Sequence, residues 1–353
     1  MNFEPSTLVR RVACTAILSG AAQIAAAVDF GNDFALHGYG SQDYVQSSTD
    51  RNTYLGADHR GTWDNNFLGF VATVSLNERS KLWAQLETSS TDTTRFTWFF
   101  FDYAVTDALT AHIGRVKFPL GLYNEIIDAK FLQMSSLEPS IYQIAADFVH
   151  DSYTGVGVDY AQDLGTAGRI TWQVYGGNAY DTDPPTDSRD RRMAGGRVTY
   201  ATPVDGLRFM VSSYRTQVEL LATRELVNES RVIGSIDYVQ ANWDLKAEYG
   251  THSFNGIDSD GYYIQAGRTF ADKWTPFARY DYVTTDKSLA AGDAWHQKTV
   301  VGGVNYKLLG NVSLRGEVHG NRGFALPFAS GEANPATAKR DWTLFVVGLH
   351  FIF

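Results

Sequence analysis

The sequence predicts an all-β fold: a transmembrane, antiparallel, up-and-down β-barrel of about sixteen strands. Three observations support this prediction. Apolar and polar residues alternate in segments of about ten residues, which is the period of a strand. The links between these segments are alternately short and long. The composition is rich in strand and turn formers, with 19 Tyr, 21 Phe and 32 Gly among 353 residues.

The N-terminal residues 1–27 have the pattern of a secretory signal peptide. Arg10-Arg11 is a basic start, Val12 to Ile24 is a short apolar stretch, and Ala25-Ala26-Ala27 supplies small residues for cleavage. We expect cleavage near Ala27, which leaves residues 28–353 as a single barrel domain. A short N-terminal helix is the alternative reading of the leader.

The composition of the mature chain narrows its partners. The only cysteine, Cys14, lies in the leader, so neither a disulfide framework nor a thiol nucleophile is expected. Loss of two arginines and one glutamate with the leader takes the formal net charge from −9 to −10. Nucleic acid is not an expected partner, because binding it needs a basic surface. No run of about 18 apolar residues follows the leader, so no transmembrane helix is expected.

The strand period is clearest between Trp243 and Tyr249, where four apolar residues alternate with Asp244, Lys246 and Glu248. A helix would mix these two faces. The predicted strands are 32–44, 66–76, 80–89, 95–105, 108–117, 153–162, 168–177, 193–202, 207–216, 230–240, 242–251, 261–270, 274–284, 297–307, 311–320 and 342–353. The count of sixteen becomes fourteen or eighteen if two weak segments are misread.

The links between the predicted strands fall into two classes. The short links include 77–79, 106–107, 203–206, 271–273 and 309–311. The long links are 45–65, 118–152, 178–192, 217–229, 285–296 and 321–341. Every second link of a meander emerges at the same end, so one end is expected to carry tight turns and the other long loops.

The last predicted strand has one continuous apolar face. That face holds Phe345, Val347, Leu349, Phe351 and Phe353. It suits lipid or a subunit contact, and a barrel in lipid must close because an open sheet edge leaves backbone groups unsatisfied. We therefore expect the last strand to pair with the first.

The faces opposite the apolar ones are expected to line a water-filled lumen. The predicted lumen-lining charges are Lys81, Glu87, Asp159, Arg169, Arg197, Arg208, Asp237, Asp244, Lys246, Glu248, Arg279, Asp281, Arg315 and Glu317. Basic and acidic members are equal in number, so the set does not predict an ion preference. The alternative is that these charges lie on the solvent face of a soluble sheet.

The longest link, 118–152, is expected to be functional because long loops in compact folds usually are. Asn124 to Met134 has helical spacing of apolar residues, with Asn124 as a candidate N-cap. The hypothesis is that this link narrows the pore; the alternative is a surface helix with solvated charges. The predicted constriction residues are Arg115, Lys117, Asn124, Glu125, Asp128 and Lys130. Arg115 and Lys117 share parity with an apolar face, so either the phase breaks near Gly114 or both lie at the membrane interface.

Aromatic residues near the strand ends fit a girdle at the membrane interface. The candidates are Trp63, Trp98, Tyr103, Trp274, Tyr282 and Trp342. Arg268, close to a strand end on an apolar face, is expected to extend its guanidinium to the headgroups.

Three stretches resemble the Gram-negative outer-membrane porins, including relatives of the phosphate-selective type. The final "GLHFIF" is similar to the C-terminal assembly signal of that class, with Gly348, Phe351 and Phe353 at its glycine and aromatic positions. "GRVKFPLGLYNE", Gly114 to Glu125, resembles the start of the porin third loop, and "FALHGYG" resembles a porin first strand.

The resemblance implies a homotrimeric, sixteen-stranded channel in the bacterial outer membrane, with the third long loop folded into the lumen. It implies ion transport and passive diffusion of small hydrophilic solutes. It also implies contacts with outer-membrane lipids, lipopolysaccharide and the barrel-assembly machinery. The alternatives are a channel specific for anions or small organic acids, an adhesin or receptor barrel, and an outer-membrane hydrolase.

No catalytic or metal-binding pattern is evident in the sequence. G-x-S-x-G and H-E-x-x-H do not occur, and the eight histidines never fall at ligand spacing. We therefore expect a protein that is not an enzyme and that holds no cofactor and no metal.

Overall fold

A closed antiparallel ring of strands dominates the computed structural model, which describes residues 28–29, 33–90, 94–143, 152–180 and 188–353. The predicted signal peptide lies outside these residues. The strands are β1 (Val28–Asp29), β2 (Phe34–Ser47), β3 (Thr62–Asn77), β4 (Ser80–Ser89), β5 (Arg95–Ala104), β6 (Leu109–Lys117), β7 (Ser152–Asp163), β8 (Arg169–Tyr180), β9 (Ser188–Ala201), β10 (Leu207–Leu220), β11 (Glu225–Gln240), β12 (Trp243–Phe254), β13 (Ile257–Arg268), β14 (Trp274–Thr284), β15 (His296–Leu309), β16 (Val312–Gly323) and β17 (Asp341–Ile352). The sixteen strands β2 to β17 form the ring, which confirms the predicted all-β barrel and its strand count.

The ring closes where β17 pairs with β2. The register runs from Leu344 opposite Ser47 to Ile352 opposite Tyr39. Beyond it, Gly38 and Phe353 exchange two backbone hydrogen bonds of 2.7 and 2.8 Å. A Cβ atom at Gly38 would overlap the Phe353 ring, so this glycine makes room for the final aromatic side chain.

Burial alternates along the strands as the sequence predicts. On β12 the outward Trp243 and Tyr249 are exposed, whereas the inward Glu248 and His252 are buried. Large apolar residues form an exposed band on the outside of the ring; its most exposed members include Ile113, Val156, Val174, Val211, Ile264, Val300 and Val347. Among the described residues the one α-helix, α1 (Ala325–Ala329), is five residues long. No helix in this part of the chain is long and apolar enough to cross a membrane.

The links at one end of the ring are all short, whereas the other end carries the long loops together with the short turns 221–224 and 255–256. Short turns include 78–79, 241–242 and 310–311, whereas 48–61, 285–295 and 324–340 are loops at the opposite end. The prediction of a long link over 217–229 is wrong, because β10 and β11 continue to a four-residue turn at 221–224. Polar pairs such as Gln217 opposite Asn228 made the end of this hairpin look like a loop.

The prediction of an aromatic girdle is wrong at two positions. Trp63, Tyr103 and Trp274 are exposed on the outside, but Trp98 and Trp342 are buried. A bulge in β5 leaves Thr97 without an opposite residue on β4, and this shift turns Trp98 inward. Trp342 lies on the inward face of β17, and its Nε1 donates to the Gly323 carbonyl at 2.9 Å.

Candidate functional site

The link after β6 lies inside the ring over its described part, residues 118–143. Its backbone N–H groups donate to inward side chains of distant strands. Gly121 N donates to Ser212 Oγ at 2.8 Å, and Leu122 N donates to Glu248 Oε1 at 2.9 Å. Ser136 N donates to Glu317 Oε1 at 2.5 Å. Because these acceptors come from β10, β12 and β16, the segment, here called the inner loop, crosses the lumen.

Four buried arginines of the wall hold the carbonyl oxygens of the inner loop. They are Arg197 on β9, Arg231 on β11, Arg279 on β14 and Arg315 on β16. Arg279 donates to Leu137 O at 2.9 Å, and Arg315 donates to Gln133 O at 2.5 Å. The other two donate to the carbonyls of Gly121 and Ile141. These guanidinium groups bind the backbone of the inner loop, so the inner loop fills the part of the lumen next to these strands.

Two carboxylates of the barrel wall, those of Glu317 and Glu248, accept further hydrogen bonds from the inner loop. Glu317 also accepts from Ser135 Oγ at 2.7 Å. Glu248 accepts from the hydroxyl groups of Tyr142 in the loop and Tyr263 on β13 at 2.6 and 2.9 Å. Charge-assisted hydrogen bonds of this kind are among the stronger contacts in proteins. The inner loop is therefore bound through both its donors and its acceptors.

The helix predicted between Asn124 and Met134 is wrong: the structure has separate 3-10 turns at Asn124–Ile126 and Lys130–Leu132. Asn124 is not an N-cap, because its Nδ2 donates to Phe118 O at 2.8 Å. The Gln133 side chain occupies the carbonyls of Ile126 and Ile127, at 2.9 and 2.8 Å. Side chains thus take the backbone acceptors that a continuous helix would use.

Most of the predicted constriction residues pair within or beside the inner loop. Lys117 is buried and pairs with Asp128. Glu125 pairs with Arg197 at 2.6 Å. Lys130 pairs with Glu138 at 3.0 Å. Burial alone would raise the pKa of Glu138, but the charge of Lys130 and several hydrogen bonds hold that pKa below its ordinary value.

Arg115 and Lys117 have different positions. Arg115 lies on the outer face, with its guanidinium 5.4 Å from the Phe99 ring centroid and a hydrogen bond of 3.1 Å to Phe96 O. Lys117, the last residue of β6, extends inward. Gly114 precedes both residues on β6 and has a φ of +138°. A Cβ atom at this position would overlap the backbone of β5.

The predicted lumen charges form pairs along the wall. Lys246 lies 3.6 Å from Asp237 and also pairs with Asp244, and Arg208 pairs with Asp237. Arg279 pairs with Asp281 at 2.8 Å; Arg315 lies 3.9 Å from Glu317, as does Arg95 from Glu87. Asp159 lies 3.3 Å from His112, Lys81 lies 5.7 Å from the Trp83 ring, and Arg169 is half-buried at the start of β8. Arg268 lies on the outer face, over the rings of Trp243 and Phe270.

Open space remains between the inner loop and the wall formed by β4 to β8. The part of it that the centre of a water molecule can occupy has a volume of about 110 Å³. Its lining includes Trp83, Trp98 and Phe100, with the polar Asp102, His112, Lys117, Glu125, Asp159 and Gln173. The sequence reading missed the aromatic side chains and His112. For Trp98 and Phe100, alternation with the outward Phe99 and Phe101 along β5 is the signal that would find them, once the bulge at Thr97 is known.

The geometry defines a class of protein: a closed ring of sixteen strands, apolar outside and polar inside, with the link after β6 folded inward, is a porin-type β-barrel. No protein-family model matches the sequence, and no curated protein matches it. Solved structures do match the fold.

One match is OmpF of Salmonella typhi in a complex with daunomycin, with a TM-score of 0.65 and 14% identity, covering 93% of this chain and 100% of that one. An anion-selective porin from Comamonas acidovorans has a TM-score of 0.63 and 12% identity, covering 91% and 99%. The trimer form of OmpT, an outer membrane protein of Vibrio cholerae, has a TM-score of 0.57 and 14% identity, covering 91% and 99%. At these identities the likeness establishes the fold of the chain.

Proposed function

We propose that this protein is a passive channel of the outer membrane for small hydrophilic solutes and ions. The observation that carries the proposal is the open space along β4 to β8, beside an inner loop bound to the opposite wall. A closed ring with a polar interior is the design of a water-filled barrel. Similarity to OmpF and to an anion-selective porin supports the same reading.

The outward band supports a membrane location and an assembly of three barrels. The exposed large apolar side chains on the outside of the ring suit lipid or a subunit contact. The related fold of OmpT in its trimer form supports a homotrimer. The predicted signal peptide would direct export of the chain. Contacts with lipopolysaccharide and with the barrel-assembly machinery are part of the same proposal.

Transport here would involve no bond breaking. The inner loop does bring Ser136 to 3.4 Å from His350 Nε2, while Asp43 Oδ1 lies 2.8 Å from the same nitrogen. In a hydrolytic triad the hydroxyl and the carboxylate bind opposite nitrogens of the imidazole, so these side chains lack that arrangement. All three are buried, which favours a structural role over an enzymatic one.

The lining of the open space favours cations over anions. Asp102 lies 2.5 Å from His112 Nδ1, and Asp159 lies 3.3 Å from His112 Nε2. Two carboxylates beside one imidazole give this part of the wall a negative balance. Charged rings and clusters in a pore set its ion preference.

Single-channel recording tests the proposal directly. Purified, refolded mature protein is inserted into a planar bilayer under a KCl gradient. We expect stable current steps and a reversal potential of the sign set by cation preference. Asp159→Asn is expected to move the reversal potential toward zero, whereas Asp205→Asn, in an exposed short turn, leaves it unchanged. Folded protein without current would refute the channel, and an anionic reversal potential would refute the assigned preference.

A further inference from the structure

The imidazole of His112, on β6, lies between two carboxylates in the wall of the open space. Its Nδ1 is 2.5 Å from Asp102 Oδ1 on β5, and its Nε2 is 3.3 Å from Asp159 Oδ2 on β7. A neutral imidazole has one N–H group and one lone pair, so it donates to only one of these carboxylates. The imidazolium form has two N–H groups and donates to both. The geometry therefore provides a place for one proton beside the lumen.

Hydrogen bonds beyond the imidazole keep Asp159 in the role of an acceptor. Gln173 Nε2 donates to Asp159 Oδ2 at 3.1 Å, while Gln173 Oε1 accepts from Arg197 Nε at 2.8 Å. Because an arginine occupies the oxygen of Gln173, the amide group of Gln173 turns its donors toward Asp159. The Phe100 ring packs edge-on against the imidazole, with centroids 6.0 Å apart. Both nitrogens of His112 are thus held facing groups that accept hydrogen bonds.

The charged groups around His112 nearly balance over the described part of the chain. They are Asp102 on β5, Asp159 on β7, Lys81 on β4 opposite Asp102, and two ion pairs, Lys117 with Asp128 and Glu125 with Arg197. The two ion pairs cancel. While the imidazole is neutral, the two carboxylates outweigh the single charge of Lys81, so this part of the wall is negative. A proton on His112 removes the excess.

A charge in the wall of a narrow pore acts on ions that do not touch it. His112, Asp102 and Asp159 are buried, and all three border the open space, which admits water. Buried charges are screened by salt much less than charges in open solution. Their sum therefore acts on every cation and anion that passes through this space.

We propose that His112 is the residue that sets the ion preference of this channel, through the proton that it shares between Asp102 and Asp159. With that proton the local wall is balanced, and the channel discriminates little between cations and anions. Without it the wall is negative, and cations pass preferentially. Because a rise in pH removes the proton, the cation preference increases with pH. This inference rests on the proposed channel and assigns to it a specificity-determining residue.

Reversal potentials in a KCl gradient, measured from about pH 5 to about pH 9, test the role of His112, because exposed carboxylates stay ionised and lysines stay protonated over this range. We expect the permeability ratio of K⁺ to Cl⁻ to rise about two- to fourfold, as one elementary charge about 10 Å from the ion path would produce in a medium close to water. His112→Gln should hold the ratio at the high value, and His112→Lys at the low value. His59→Gln, in an exposed loop, is the control and keeps the wild-type pH profile.

A second measurement reads the proton without current. In NMR spectra of detergent-solubilised protein with labelled histidine, the His112 signal is identified by its loss in His112→Gln. We expect this signal to titrate over the same pH range as the permeability ratio, and a mismatch would assign the preference to another group. A wild-type pH profile in His112→Gln would overturn the inference. Protein that conducts with a ratio independent of pH would refute the inference alone, whereas folded protein without current, in which His112 still titrates, would refute the proposed channel.

Discussion

At the scale of single residues, buried arginines hold the inner loop in the lumen of this barrel. The sequence predicts that they face the lumen, but it does not reveal which groups they bind. Alternation along a strand fixes the side of the ring on which Arg279 or Arg315 lies. It carries no information about the inner loop, whose carbonyls these guanidinium groups bind. A planar group with five donors suits this double task of pairing with a wall carboxylate and holding a backbone.

Removal of one buried arginine tests this role. Arg279→Met keeps the approximate volume of the side chain but leaves the fully buried Asp281 without its partner. An uncompensated buried charge costs about 3 to 5 kcal/mol. We expect a loss of that order in the free energy of unfolding in urea, together with larger current fluctuations from a loosened loop. Arg268→Met, on the outer face, is the control, and an equal loss there would contradict the argument.

At the scale of elements, the strands were predictable and the inner loop was not. Strand position follows from a period that each segment carries by itself, as the alternation between Trp243 and Tyr249 shows. The inner loop takes its conformation from hydrogen bonds with β10, β12, β14 and β16, which no local pattern encodes. The prediction for Trp98 was wrong for a related reason. One residue of β5 has no opposite residue on β4, and this bulge reverses the side of the sheet on which the following side chains lie.

Deletion of the inner loop measures how much of the lumen it fills. Replacement of residues 122–141 by a short Gly-Ser linker keeps the sixteen strands and removes the buried segment. The charged wall would then face water, and we expect the single-channel conductance to rise severalfold. A similar shortening of 285–295, a loop at the end of the ring, is the control. An unchanged conductance after the first deletion would show that the inner loop does not limit passage.

At the scale of the whole molecule, the long loops at one end connect the two sides of the closing seam. Asn52 exchanges two hydrogen bonds with the backbone of Lys339, of 2.6 and 2.7 Å. Thr53 Oγ1 donates to Glu332 O at 2.7 Å, and the Tyr54 hydroxyl donates to Gln143 Oε1 at the end of the inner loop. The loop after β2, the loop before β17 and the inner loop therefore form one connected structure over the seam.

A substitution at the seam tests the closure. Gly38→Val places a side chain where the Phe353 ring lies, so we expect a severalfold lower yield of folded barrel, read from heat-dependent migration in an SDS gel. Gly234→Val is the matched control, because a Cβ there meets nothing within 4 Å and valine favours strands. Equal yields of the two variants would show that the Phe353 ring moves aside without cost.

The pairing of β17 with β2 is of the same antiparallel kind as every other neighbour pair in the ring. Gly38 and Phe353 face one another there, so a short hairpin linker would suffice to join the two strands. The chain could then be opened in another turn, such as Ala241-Asn242, and every neighbour would be kept. The architecture is thus circularly permutable: the order of strands around the ring is a property of the fold, and the position of the termini within that order is free to change.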